Sequence, residues 1–95
     1  MQGDGFAWRQ EKAAANWRKH GVTFVQAARA VRDPFAIEAI DEREDYGEER
    51  VNLIGMCDGA LLHVTYTERD ERTWIISARR AERHEQDIYY RANAR

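Results

Sequence analysis

Three apolar runs joined by two very short polar turns constrain this chain more than any other feature. Residues 50–57, 61–67 and 73–78 are rich in Val, Ile, Leu, Thr and Tyr. Alternation along 61–67 puts Leu62, Val64 and Tyr66 on one face and His63, Thr65 and Thr67 on the other. Asp58-Gly59, between the first two runs, is a type I′ hairpin signal, because both residues tolerate positive φ. Arg69-Asp70-Glu71-Arg72 is a polar turn between the second and third. Links this short leave no room for a crossover, so the strands form an antiparallel meander. One face of such a sheet packs on helices and the other stays free.

The flanking segments read as follows. Residues 1–5 are a loose lead-in, and Phe6-Ala7-Trp8 reads as a short strand. From Arg9 to His20 the chain is helical in propensity, with Ala13 and Trp17 marking one face and Gly21 as its stop. Thr23-Phe24-Val25-Gln26 has the form of a capping box, with Val22 and Ala27 placed as a staple. It opens a second helix with Phe24, Ala27, Ala28 and Val31 on its apolar face, ended by Asp33-Pro34. Phe35–Ile40 reads as a short strand, and Asp41–Glu49 as an acidic connection. After residue 78 the chain breaks into a basic helix, Arg79 at the junction, running from about Ala81 to Ala92. Its buried face is Ala81, the stem of Glu85, Ile88, Tyr89 and Ala92, and Ser77 reads as its entry cap. Ninety-five residues make one domain, 1–95. The fold class is α+β: two N-terminal helices, an antiparallel meander of about four strands, and a C-terminal helix.

Charge is patchy. The formal net charge of -2 conceals +3 over residues 1–37, -5 over 38–50, -1 over 51–67 and +1 over 68–95. The whole chain therefore has no general attraction for nucleic acid, and any such binding rests on a local patch. Cys57 is the single cysteine and lies in an apolar run, so it reads as a buried thiol in a reducing compartment. His20, His63 and His84 are scattered, and no CxxC, HxxxH or HExxH spacing occurs, so no metal is expected. Phosphate-cradling glycine motifs and nucleophile elbows are missing as well, so no nucleotide cofactor is expected. Neither a leader-like N-terminus nor an apolar run of membrane-spanning length is present, which reads as a soluble, cytoplasmic protein.

What remains is a set of cationic junctions. Lys19 and His20 end the first helix, Arg79 and Arg80 open the last, Arg50 starts a central strand beside Glu48 and Glu49, and Arg69 and Arg72 flank a tight turn. Should they converge on the free sheet face, they would hold an RNA backbone and stabilise charge developing on a phosphate. His20 or Glu49 would take the proton of a 2′-hydroxyl; histidine suits because it titrates near neutrality. Each group also has a plain structural reading. Lys19 and His20 suit a helix C-terminus. Arg79 would bridge to Glu82 or a carbonyl, and Arg50 would pair with neighbouring acids. Trp17 and Trp74 would pack in the core or an interface rather than stack bases.

Taken in order, several segments are similar to the BrnT family of type II toxin–antitoxin toxins. They are Phe6-Ala7-Trp8, Lys12-x-x-x-Asn16-x-x-Lys19-His20-Gly21-Val22-x-Phe24, Asp33-Pro34 and Glu49-Arg50-x-x-x-Ile54-Gly55. Tyr66-Thr67-Glu68-Arg69 and Ile75-Ile76-Ser77-Ala78-Arg79-x-Ala81-x-x-x-Glu85-x-x-x-Tyr89 follow. The resemblance implies a RelE-like fold and a metal-independent ribonuclease that blocks translation. It implies neutralisation by a BrnA-like antitoxin, which carries the DNA-binding part, so that DNA is met only through the partner. Motif matching carries over Lys19, His20, Glu49, Arg50, Arg69 and Arg79 as site positions, whereas Asn16, Gly21, Gly55 and Ala78 match for reasons of fold; Arg80, outside the motif, joins as an RNA contact from the cationic junction. One departure is Trp74, where many relatives carry a basic residue. A competing reading from a different class is a catalytically weak protein-binding module that acts with its antitoxin in operon autoregulation.

Overall fold

The computed structural model describes residues 5–43, 45 and 47–94. Five strands and three helices follow the order β1 (Phe6–Ala7), α1 (Gln10–His20), α2 (Phe24–Val31), β2 (Ile37–Asp41), β3 (Arg50–Cys57), β4 (Ala60–Arg69), β5 (Arg72–Arg80) and α3 (Arg83–Ala92). Of the expected lead-in, all but Gly5 lies outside the described residues.

Both short turns form as their residues require. Asp58 and Gly59 have φ of 49° and 85°, and Asp70 and Glu71 have 53° and 60°, the left-handed pair of a two-residue hairpin link. Strands β2 to β5 therefore form the antiparallel meander, in register Asn52–Thr65 and His63–Arg79. The sheet is larger than expected and mixed. The two-residue β1 adds to the far edge of β5 in parallel, Phe6 beside Thr73 and Ala7 beside Trp74, giving the order β1-β5-β4-β3-β2. A pairing across more than sixty residues leaves no local signal.

Helices α1 and α2 pack on one sheet face over Leu53, Leu62, Val64, Tyr66, Ile75 and Ala78. Gly21 caps α1 at φ 67°, its N–H bonded to the Trp17 carbonyl. The Thr23–Gln26 capping box opens α2, whose Phe24, Ala27 and Ala30 are buried. Gly55 lets α2 approach: a Cβ there would lie 2.2 Å from the Ala30 carbonyl oxygen. The expected face of α1 is corrected in part, since Ala13 does pack against the core. Trp17 is 56% exposed, and polar Asn16 is the buried residue.

Two further expectations change. Strand β5 runs through Arg79 and Arg80, its ladder closing with the Ala81 N–H bonded to the Leu61 carbonyl, so these arginines end a strand rather than open a helix. Ser77 accordingly sits mid-strand opposite Thr65, and Glu82 caps α3 in a box with Glu85. Nor is the second sheet face wholly free. Tyr89 and Ala81 cover Ile54 and Leu61 at one end, while Ile88 is 43% exposed. No helix among the described residues is long and apolar enough to cross a membrane.

Candidate functional site

The uncovered part of that second face carries the site. Alternation places His63, Thr65, Thr67 and Arg69 of β4 there, together with Arg50 and Asn52 of β3 and Trp74, Ser77 and Arg79 of β5. A cavity of about 510 Å³ opens between α3 and the last turn of α1, lined by Lys19, His20, His63, Thr65, Arg79 and Glu85, with Arg43 at its rim. A smaller one of about 110 Å³ lies beside it, lined by Arg50, Arg69, Thr67, Trp74, Glu48, Arg9 and Lys12.

Asn16 is what brings α1 to the larger cavity. Its amide donates to the carbonyls of Ala78 (2.8 Å) and Val22 (2.9 Å) and accepts from the Ala78 N–H (3.0 Å). The residue read in this way precedes Arg79, so Lys19 and His20, within about one helical turn of Asn16, arrive beside Arg79.

Arg79 is held by an acid. Its two terminal nitrogens each donate to a Glu85 oxygen at 2.9 Å, and Nη1 also reaches the Arg80 carbonyl at 3.2 Å. Glu85 is 8% exposed and accepts the Glu82 N–H at 2.8 Å. The guanidinium bonds hold its carboxyl down at about 2, and the same bonds raise the pKa of Arg79. His63 Nε2 lies 3.9 Å from Glu85. Burial, and then the positive charge of Arg79, lowers the His63 pKa, so the imidazole is neutral at neutral pH. The cavity therefore holds a fixed cation, an ammonium, a neutral imidazole on β4 and a second histidine on α1.

In the smaller cavity Glu48 sits between Arg69 (2.9 Å) and Arg50 (3.7 Å). The Arg69 guanidinium lies 5.2 Å over the Trp74 ring. Thr67 Oγ1 donates to the Glu49 carbonyl at 2.7 Å.

The expected site residues thus divide. Lys19, His20 and Arg79 share one cavity, and Arg50 and Arg69 line its neighbour on the same face. Glu49 is exposed and its side chain lines neither cavity; Glu48 takes the place expected of it. Arg80 points away, because one step along β5 reverses the face, and it borders a separate depression with Leu61 and Tyr90. The partner of Arg79 is Glu85, not Glu82. Sequence reasoning missed Glu85 and His63 as site residues. The alternation that set His63 opposite the core was the available signal for one; for Glu85 the signal was its place in the family-matching run from Ile75 to Tyr89, since helical spacing assigns only its stem. Glu82, His84 and Glu85 bring three ligand atoms within 4.8 Å of one another. Both Glu85 oxygens already hold Arg79, however, so the triplet makes no case for a metal.

Fold and site define a small α+β protein with an arginine- and histidine-lined groove on one face of its sheet. The chain belongs to the BrnT family: the family described as the ribonuclease toxin, BrnT, of type II toxin–antitoxin systems matches residues 8–85. Every residue placed above in the two cavities falls inside that span. Comparison with curated proteins gives no match.

Proposed function

We propose that this chain is a cytoplasmic, RelE-like endoribonuclease that needs no metal, stops translation by cutting RNA, and is held inactive by a BrnA-like antitoxin through which alone it meets DNA. Lys19 and Arg79 hold the scissile phosphate. A histidine, His63 or His20, takes the 2′-hydroxyl proton as the 2′-oxygen attacks phosphorus. The bond from phosphorus to the 5′-oxygen breaks, that oxygen gains a proton, and a cyclic phosphate remains. Arg79 stabilises the charge that builds on the phosphoryl oxygens. For His63, burial and the charge of Arg79 lower the pKa, which favours the neutral imidazole that a base requires. The observation that carries this reading is the convergence of Lys19 and His20 of α1 with His63 and Arg79 of the remote β4–β5 hairpin on one cavity.

The test is induced expression without the antitoxin, comparing wild type with Arg79→Ala, Arg79→Lys and Lys19→Ala, each checked for folding by circular dichroism. Growth arrest with RNA loss that disappears in folded variants is the expected result. Cleavage by the purified protein should persist in chelator. Arrest that survives both alanine variants overturns the site. A second reading, the catalytically weak binding module, draws on one observation: the fork of Arg79 is already filled by Glu85. Harmless expression combined with tight antitoxin binding would establish it.

A further inference from the structure

Nothing in the cleavage reading uses Arg9, Lys12 or Trp74, yet the structure brings them together in the smaller cavity. At about 100° per residue, Lys12, Lys19 and His20 fall within about a third of the circumference of α1, and Arg9 is its N-cap. Asn16 lies at the middle of that stripe and is bonded to β5, so the stripe faces the sheet. Arg9 and Lys12 make no ion pair or side-chain hydrogen bond among the described residues. Among the described residues the one acid of the lining, Glu48, is already shared by Arg50 and Arg69. The cavity therefore carries excess positive charge. It also contains an anomaly: Trp74 Nε1 is buried without a hydrogen-bond partner among the described residues. Buried donors are nearly always satisfied, by protein, water or a ligand, so this N–H is open to an acceptor that enters the cavity.

We propose that this cavity is a phosphate subsite for the nucleotide next to the scissile bond of an RNA chain. Lys12 and Arg9 supply charge, and the in-plane N–H of Trp74 supplies one directed hydrogen bond while the Arg69 guanidinium stays stacked on its ring face. This rests on the RNA reading above. A phosphodiester fits better than a protein carboxylate for two reasons. Cations arrive from α1, β3 and β4, several directions that suit a tetrahedral anion. Thr67 of this cavity and Thr65 of the larger one are two residues apart on the same face of β4, about 7 Å, so one extended strand runs over both. A phosphate contact carries no base information, so this contribution to binding is independent of sequence.

The test uses 2′-O-methyl oligoribonucleotides of increasing length, which bind but cannot be cut. Wild type, Arg9→Ala/Lys12→Ala and Trp74→Phe are titrated over a range of salt. The double variant should bind more weakly, with the slope of log K against log salt reduced by about 0.7, the value for one single-strand phosphate. Trp74→Phe keeps the ring and loses only the N–H; its affinity should fall roughly tenfold, as for a hydrogen bond to a charged group. Both losses should appear only with oligonucleotides long enough to reach past the larger cavity. Binding equal to wild type in both variants overturns the subsite. So does unchanged RNA binding with weakened antitoxin binding, which would make the cavity a protein contact. Cleavage with unaltered binding sinks the subsite alone, whereas subsite-dependent binding without cleavage sinks the nuclease reading alone.

Discussion

Replacing Glu85 by Gln tests the electrostatic core of the site. The carboxyl titrates at about 2 rather than its ordinary 4.5. At 1.36 kcal/mol per pH unit this corresponds to about 3 kcal/mol of stability at neutral pH. Arg79 is partly exposed, 32% for its side chain, so solvent screening brings the expected loss to about 2–3 kcal/mol. The sign follows from the direction of the shift. Because the folded state holds the carboxyl down, the stabilisation is complete above pH 4.5 and is lost as the pH falls toward 2. By pH 3 about three-fifths of it should be gone from the wild type. Glutamine keeps the size and one acceptor but has no charge to lose. Urea unfolding followed by circular dichroism at pH 7 and pH 3 should therefore show a gap between wild type and Glu85→Gln that narrows to about 1 kcal/mol at the lower pH. A gap of the same size at both values would refute the assignment of this stability to the Arg79–Glu85 pair.

Asn16→Ala strands two carbonyls and the Ala78 N–H, so chemical unfolding should show a loss of about 3 kcal/mol or more. Gly55→Ala drives a methyl into the backbone of α2 and should cost about 3 kcal/mol or abolish a cooperative melt. His63 stays neutral in the folded protein to lower pH than in the unfolded chain, so the unfolded state binds the extra proton. Stability should fall as pH drops through about 6.5, and His63→Gln should remove that part of the slope in unfolding titrations.

The strand plan was legible because turns and alternation are local. Asp58-Gly59 and Asp70-Glu71 fix two hairpins within a few residues, and a period of two tells which side chains share a face. Arg50 and Arg79 came forward on other grounds, as cations at element junctions and as matches to the family run. Less legible was where strand gives way to helix. Arg79 and Arg80 stand in the ladder because β4 continues beside them, and no property of those two residues states this. Trp17 misled for a related reason: apolarity selects the buried side of a helix only when no polar residue has a better partner. Here Asn16 finds both backbone groups of Ala78, sixty-two positions away.

By itself the sequence determined a meander of tight hairpins, two capped helices before it, an unbalanced charge pattern and a family. Tertiary structure decided which charges meet. Pinning α1 to β5 carries Lys19 and His20 to Arg79, and docking α3 on the sheet delivers Glu85 to the same guanidinium. It also left Arg80 and Glu49 outside the groove and brought His63 into it. Local preferences act over a few residues, whereas a site is a set of distances between groups far apart in the chain, and only packing fixes those.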